Sequence, residues 1–279
     1  MSGALYVVST PIGNLGDITR RAAETLAAAD CVAAEDTRRT RALLTHLGIG
    51  GKRLIKLDAH AGARPVDELV HLVQNGESVA LVTDAGTPSV SDPGTRLVRA
   101  MAASGILVVA IPGPSAVTAA VAVSGLVDGP FTFFGFLPRR GEKRKRWLRR
   151  VATSLEPVVL FEAPNRVRET LADLAAVAPE RAACVGRELT KIHEELLRGT
   201  LSELAGRAIT ERGEFTIVIA GNEEPEHADA ADVDSLVEAR LDAGDASRTI
   251  AAEVSEISGM PRREVYARVL ELRRLRGES

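Results

Sequence analysis

Short apolar runs alternate with amphipathic segments along residues 4–124 of the chain. Each run is followed by a polar turn and then by a segment in which apolar residues recur with helical spacing, as in strands that alternate with helices. The runs lie at residues 5–9, 32–34, 54–57, 78–82 and 106–111. Strand–helix alternation of this length predicts an α/β domain built on a parallel sheet.

A second series of apolar runs begins at residues 131–136, which hold four of the six phenylalanines. This phenylalanine run favours a core strand over a surface on which other rings stack. Further runs at 158–161, 182–185 and 215–220 are typical of strands. We therefore predict a second α/β domain.

A polar, acidic stretch at residues 223–231 is typical of a linker. Beyond it lie three helical patterns, and Gly259 in the last join gives the pattern of a helix-turn-helix. The patterns span 233–241, 248–257 and 262–275. The predicted domains are 1–114, 115–222 and, after the linker, a small helical domain at 232–279.

Composition narrows the class of protein. Of the 279 residues, 45% are hydrophobic but only 3% are aromatic, which suits buried strands rich in Val and Ala. Cys31 and Cys184 lie in apolar surroundings, and the five histidines show no ligand spacing, so we expect reduced cysteines and no metal site. No segment is typical of a secretion signal or a membrane helix, and we expect a cytoplasmic protein with no membrane partner.

The longest polar turn, at residues 83–94, follows one of the apolar runs and precedes a helical pattern. In parallel sheets, ligands bind outside the carboxyl ends of the strands, where this turn must lie. Gly86 and Gly94 give the turn backbone freedom, and its two prolines stiffen it. Because most strand–helix connections are shorter, the turn predicts a ligand-binding loop rather than an ordinary surface turn.

Three other strand ends carry polar residues. The turn at 10–17 contains glycines but no complete G-x-G-x-x-G, so a bland turn and a ligand loop are equally consistent with it, and Asp17 is expected to cap the next helix. Asp36 could position a substrate or cap the helix that follows it. The Ser115 hydroxyl and the free amides at the start of the next helix suit a carboxylate or a ribose.

The net charge of −3 conceals two basic regions. Residues 139–150 hold eight basic residues, one acidic residue and the only tryptophan, and the last helical pattern is rich in arginine. Such density favours binding to a phosphate backbone over a merely solvated face. The candidate contacts are Arg139, Arg140, Lys143, Arg144, Lys145, Arg146, Arg262 and Arg263.

Taken together, six segments resemble one family. They are the motifs at 10–17, 34–38, 84–94, 112–115, 135–138 and 186–189. Their combination is similar to the ribosomal RNA small subunit methyltransferase I family, within the tetrapyrrole-methylase-like class III methyltransferases. This resemblance implies S-adenosylmethionine bound in the cleft between two α/β domains, usually in a homodimer. It also implies methylation of the ribose 2′-hydroxyl of a cytidine in the decoding region of 16S ribosomal RNA, within the small ribosomal subunit.

The resemblance also assigns site residues by position. It implies that Pro11 lies beside the cofactor, that the loop beginning at Asp84 contacts the methionine part, and that the turn before the next helix lines the same pocket. Glu162 and Glu188 fall where related enzymes approach the adenine and the ribose. The implied cofactor-binding residues are Pro11, Asp84, Ala85, Gly86, Thr87, Val90, Ser115, Ala116 and Glu162.

The implied chemistry is an in-line attack of the ribose oxygen on the sulfonium methyl group, which alignment accelerates. A ribose hydroxyl is a weak acid, so a base or a cation should help. We expect Asp36 or Glu188 to accept the proton and Arg187 to hold a phosphate or the developing charge, with Glu162 and Lys191 as further candidates. The alternatives are a class III methyltransferase with a tetrapyrrole or protein substrate, and a DNA-binding regulator whose α/β part senses a ligand.

Overall fold

The computed structural model describes residues 3–58, 63–90, 94–222, 230–258 and 260–276. The chain divides into two compact units, Met1–Gly221 and Asn222–Ser279. The predicted boundary between residues 114 and 115 stays a prediction, since both sheets described below belong to the first unit.

The first sheet is parallel throughout, as the alternation of strands and helices predicted. Its strands are β1 (Ala4–Val8), β2 (Cys31–Ala34), β3 (Arg53–Lys56), β4 (Val79–Val82) and β5 (Leu107–Ile111). They lie in the order β3-β2-β4-β1-β5, and each paired strand is parallel to its neighbour. The helices between and after them are α1 (Arg20–Ala28), α2 (Thr37–His46), α3 (Ala63–Gln74), α4 (Thr95–Ala103) and α5 (Ala116–Ser124). β1 and β4 are neighbours whose connections run in opposite directions across the sheet, the arrangement that opens a crevice at the strand ends.

Alternate residues of the central strands enter two separate cores. Leu5 and Leu81 pack with Met101 on one face of the sheet. Val8 and Val82 pack with Leu26 on the other. Because both faces are covered by helices, β4 is buried along its whole length.

Helix α1 begins two residues later than the predicted cap at Asp17 would place it. Thr19, rather than Asp17, is its N-cap, and the Thr19 hydroxyl oxygen accepts the amide N–H of Ala22 at 3.1 Å. Asp17 lies in the short 3-10 turn Leu15–Asp17, too far along the chain to reach the amides of α1.

The second sheet is mixed. Its strands are β6 (Thr132–Phe136), β7 (Val158–Glu162), β8 (Ala182–Arg187), β9 (Glu195–Thr200) and β10 (Phe215–Ile219), in the order β6-β7-β10-β8-β9. Among these strands, β6 and β7 pair in parallel and the other pairs are antiparallel. The helices of this part are α6 (Gly141–Thr153), α7 (Val167–Val177) and α8 (Leu201–Gly206). Strand β9 was not predicted, because it lies at a sheet edge and its polar and glycine residues break the apolar alternation.

The second unit contains the three helices α9 (Ala230–Asp242), α10 (Ser247–Ser258) and α11 (Arg262–Leu275), close to their predicted positions. Val237, Ile250, Val254 and Val269 form their shared core. Gly259 and residues 223–229 of the predicted linker lie outside the described residues, as do residues 91–93 of the long polar turn. Within the described ranges, every helix is too short or too polar to cross a bilayer.

Candidate functional site

A cavity of about 380 Å³ opens in the first unit, between the carboxyl ends of the first sheet and the strands β6, β7 and β10. Its volume lies within the range of small-molecule sites, roughly 300–1,000 Å³. The first wall comprises residues from the first sheet and α5: Ile12, Glu35, Arg39, Thr83, Asp84, Ala85, Gly86, Thr87, Val90, Ser115 and Ala116. The second wall comprises residues from the second sheet: Phe136, Phe161, Glu162, Ala163, Pro164, Gly213, Glu214, Phe215 and Thr216.

The loop after β4 is tied to the end of β1 by backbone hydrogen bonds. The Gly86 N–H donates to the Thr10 carbonyl at 3.0 Å, and the Thr10 N–H donates to the Gly86 carbonyl at 2.9 Å. Gly86 has a φ of +80°, a conformation that side chains other than glycine rarely adopt. The Thr87 and Ser9 hydroxyls share a hydrogen bond of 3.0 Å. The loop is therefore fixed before any ligand arrives.

The start of α5 lies beside this loop. Ser115 is the N-cap of α5 but makes no side-chain capping bond, and it lines the cavity. Free amides and the helix dipole at such a terminus favour a negatively charged group. Gly113 lets the turn approach β1 closely, since a Cβ there would lie 3.0 Å from the Ser9 Cβ.

Two carboxylates lie together on the first wall. Asp84 Oδ1 accepts the Asp36 N–H at 3.0 Å, and Glu35 Oε2 accepts the Thr83 hydroxyl at 2.9 Å. Arg39 Nε lies 3.6 Å from Asp84 Oδ2. Burial, reinforced by the Glu35 charge, raises the pKa of Asp84 above its ordinary value. Asp84 is thus a cavity carboxylate with an increased affinity for a proton.

The apolar part of the second wall is formed by phenylalanine rings. The Phe161 ring is half-buried and lies between Phe133 and Phe136, with ring centroids 4.9 and 5.6 Å away. Flat apolar surfaces of this kind suit a heteroaromatic ring.

Asp36 serves the fold rather than the cavity. It is the N-cap of α2, where its Oδ1 accepts the Arg38 N–H at 2.8 Å, and its Oδ2 accepts Arg38 Nη2 at 2.7 Å. The hydrogen bond from the Arg38 side chain holds the pKa of Asp36 far below its ordinary value. The capping alternative is confirmed, and a carboxylate so stabilised is a weak base.

The other two residues predicted to be catalytic are also engaged elsewhere. Arg187 Nε donates to Glu195 Oε2 at 2.9 Å. Glu188 Oε1 accepts Lys191 Nζ at 2.7 Å and the Glu214 N–H at 2.9 Å. Burial alone raises the pKa of Glu188, but these hydrogen bonds outweigh burial and lower it.

The described residues that line the cavity include none of Asp36, Arg187 and Glu188. Each of the three has a partner within the fold, and the expectation that Asp36 or Glu188 accepts the proton and that Arg187 holds a charge stays a prediction.

Glu162 lines the cavity as expected, but its carboxylate has partners within the fold. Its side chain is fully buried, accepts the Thr170 hydroxyl at 2.6 Å and lies 3.4 Å from Arg166 Nη2. A buried carboxylate must be paired in this way, and both oxygens of Glu162 have a partner within the fold. Glu162 borders the cavity, and its carboxylate links β7 to α7 through Thr170.

Arg144 belongs to the same buried network and is likewise not an RNA contact. Its guanidinium is 6% exposed and donates to Asp173, to Thr170 and to the Pro138 carbonyl. Among the predicted cations of α6, Arg144 is the one whose side chain is buried. The expected phosphate contact at Arg144 is therefore wrong.

The remaining predicted cations are exposed. In the first unit they are Arg139, Arg140, Lys143, Lys145 and Arg146, and in the second unit Arg262 and Arg263. Lys145 pairs with Glu142 at 2.9 Å. The exposed face of α6 therefore offers several cations to a polyanion.

Sequence reasoning found most of the first wall and little of the second. The structure brings Asp84, Ala85, Gly86, Thr87, Val90, Ser115 and Ala116 into the cavity wall, whereas Pro11 is buried and its neighbour Ile12 takes that place. Arg39, Phe161 and the residues Gly213–Thr216 were missed. Gly213 and Glu214 lie in a turn with no distinguishing pattern.

Comparisons with known proteins agree with this architecture. The family model "Tetrapyrrole (Corrin/Porphyrin) Methylases" matches residues 4–205. Ribosomal RNA small subunit methyltransferase I of Mesorhizobium japonicum is 45% identical over 280 residues, covering 99% of this chain and 94% of that protein. The protein of the same name from Mycobacterium tuberculosis (strain H37Rv) is 42% identical, covering 99% and 98%.

Solved structures share the fold at low identity. Diphthine synthase aligns with a TM-score of 0.63 at 18% identity, covering 78% of this chain and 90% of that one. Uroporphyrin-III C-methyl transferase from Thermus thermophilus, complexed with S-adenyl homocysteine, aligns with a TM-score of 0.56 at 18% identity, covering 77% and 97%. The predicted fold class is confirmed.

Proposed function

Since this chain belongs to the ribosomal RNA small subunit methyltransferase I family, within the tetrapyrrole methylases, we propose that it transfers a methyl group from S-adenosylmethionine to RNA of the small ribosomal subunit. The observation that carries the proposal is the preformed cavity between the two sheets, in a chain that matches these relatives over nearly its whole length. The exposed cations of α6 belong to the same unit as the cavity and suit a phosphate backbone.

The first wall fits the methionine part of the donor. Ser115 offers a hydroxyl that makes no capping bond beside the free amides of α5, which suit a carboxylate, and the fixed Gly86–Thr87 loop offers backbone groups. The ring of Phe161 suits the adenine. When bound, S-adenosylmethionine supplies a methyl group on a positively charged sulfur.

On the family resemblance, the acceptor is the ribose 2′-hydroxyl of a cytidine in the decoding region of 16S ribosomal RNA. The enzyme would act in the cytoplasm, as a homodimer, on the small ribosomal subunit. Without the resemblance, the basic surface would support a nucleic-acid substrate but would not distinguish one nucleotide from another.

Asp84 is the carboxylate best placed to accept the hydroxyl proton. It lines the cavity, whereas Asp36 and Glu188 do not. Its raised pKa makes it a stronger base than those two carboxylates, whose pKa values are lowered. Arg39, 3.6 Å from Asp84 Oδ2, keeps a charge beside it.

The proposal is tested by incubating the full chain with methyl-labelled S-adenosylmethionine and small subunits that lack the modification, followed by digestion of the RNA to nucleosides. Label in 2′-O-methylcytidine is expected. Label in another nucleoside would keep the RNA methyltransferase and change the acceptor. Binding of the donor with no label in RNA would favour a tetrapyrrole or protein substrate.

A further inference from the structure

The phenylalanine ring at the rim of the cavity is unusually exposed. Phe136 lines the cavity, yet it is 52% exposed. Phe133, Phe134 and Phe161 around it are half-buried. An apolar ring left in water at the edge of a cavity gains free energy when a flat apolar surface covers it.

A bulge in β6 turns this ring toward the cavity. In a regular strand, Phe134 and Phe136 would share a face. The register between β6 and β7 shifts between Phe133 and Gly135, and Gly135 has a φ of +63°. As a result Phe136 joins Phe133 in contact with Phe161, while Phe134 packs against Trp147 in a different core. Bulges that re-aim a side chain are frequent next to active sites.

The backbone after Phe136 is held from behind by two arginines. The Leu137 carbonyl accepts Arg166 Nη2 at 2.8 Å, and the Pro138 carbonyl accepts Arg144 Nη1 at 3.0 Å. Leu137 itself is buried. The backbone that carries Phe136 is therefore held in place, which reduces the ordering that ligand binding requires.

Two flat heteroaromatic rings could cover Phe136: the adenine of the donor and the base of the target nucleotide. Arg139 and Arg140 are exposed and follow Phe136 by three and four residues, so their Cα atoms lie within about 14 Å of it. A nucleotide in RNA carries a phosphate on each side, which these cations suit. S-adenosylmethionine has no phosphate and carries a positive sulfur, and an adenine in a cleft is more enclosed than the rim allows.

We propose that Phe136 stacks on the base of the target nucleotide and so holds its ribose at the mouth of the cavity. The inference rests on the proposed function and names the substrate contact of that same site. Stacking on an aromatic ring tolerates any base, so Phe136 supplies alignment of the ribose rather than choice of sequence.

The test compares Phe136→Leu with Phe136→Trp, and uses Phe134→Leu as a matched control in the same strand. Two quantities are measured: kcat/KM for unmethylated small subunits, and the Kd of S-adenosylmethionine. Phe136→Leu should lower kcat/KM about 5- to 100-fold, the loss expected for one stacked base, with an unchanged Kd for the donor. Phe136→Trp should restore kcat/KM, which a purely structural role would not require. Phe134→Leu should lower the melting temperature and leave kcat/KM near that of the wild type.

Wild-type kcat/KM in a folded Phe136→Leu protein would overturn the inference while leaving the proposed function intact. A parallel loss of donor affinity would also overturn it, because the ring would then contact adenine. Absence of methyl transfer to the subunit by the wild-type chain would instead contradict the proposed function and remove the basis of the inference.

Discussion

The two walls of the cavity are built in different ways. The first wall combines the charged side chains of Glu35, Arg39 and Asp84 with backbone and hydroxyl groups: a glycine with a positive φ, hydroxyls that bond to each other, and the open end of a helix. The second wall is made of large side chains, the rings of Phe136 and Phe161, which stand in front of a buried network of charges.

This difference assigns the two walls different tasks. A backbone wall with fixed donors suits a ligand whose polar groups never vary, as in a cofactor. In the second wall, Phe161 suits the adenine of that cofactor, whereas Phe136 at the exposed rim suits a partner that must enter and leave, such as a nucleotide in RNA. The buried side chains of Arg144 and Glu162 are paired within the fold and support the second wall.

The largest expected effect is at the carboxylate of the first wall. Asp84→Asn removes the base and should lower kcat about 10²- to 10⁴-fold. In the wild type, the rate should be lost as pH falls through the raised pKa of Asp84, so the acid limb of kcat/KM should lie above the ordinary pKa of 3.8. Single-turnover assays at a series of pH values measure the loss of rate in the variant and the acid limb of the wild-type profile. A variant that keeps wild-type kcat would show that Asp84 accepts no proton.

The second wall is tested by removing its buried support. Arg144→Ala leaves the carboxylate of Asp173 and two further acceptors without their donor, and should cost about 1–3 kcal/mol of unfolding free energy. Lys143→Ala, one residue away and exposed, is the control and should change stability by less than about 0.5 kcal/mol. Urea denaturation compares the two. Equal stability would mean that the charge network does not hold the wall.

A matched pair of glycines separates backbone strain from binding in the first wall. Gly86→Ala and Gly105→Ala both place an L-residue at positive φ, near +80° and +69°, and each should cost about 1–2 kcal/mol of stability. Gly86 lines the cavity and Gly105 does not, so Gly86→Ala alone should also weaken S-adenosylmethionine binding, by roughly tenfold or about 1.4 kcal/mol. Calorimetric titration gives both Kd values. Equal donor affinity in the two variants would show that the backbone at Gly86 does not contribute to S-adenosylmethionine binding.

The smallest effect concerns the exposed cations beside the second wall. Arg139→Ala combined with Arg140→Ala should flatten the dependence of log Kd for the small subunit on log salt, by about 0.7 for each phosphate that the protein no longer neutralises. Arg20→Ala is the control, since its charge is already paired with Glu24 on α1. An unchanged slope in the double variant would place the RNA elsewhere on the molecule.

The sequence predicted the first wall better than the second for a physical reason. A ligand loop at a strand end is coded locally, by glycine, proline and hydroxyl residues in one stretch, and Gly86, Thr87 and Ser115 were found in this way. The charge of a residue, in contrast, does not show whether its side chain is buried or exposed. Arg144 stands among exposed cations of the same helix, and only its tertiary partners Thr170 and Asp173 distinguish it.

Strand pairing could be predicted only in part for the same reason. The parallel first sheet follows from regular strand–helix alternation. Strand β9 depends on its long-range pairing with β8, which no local pattern shows. The turn of Phe136 toward the cavity likewise depends on a bulge relative to β7.

The most direct test of the two-wall account is a crystal structure of the full chain with S-adenosylhomocysteine. The account predicts the ligand in the cavity, with its carboxylate beside Ser115 and the Gly86 loop, its adenine against Phe161, and the outer face of Phe136 left open. A ligand bound outside this cavity, or an adenine stacked on Phe136, would contradict it.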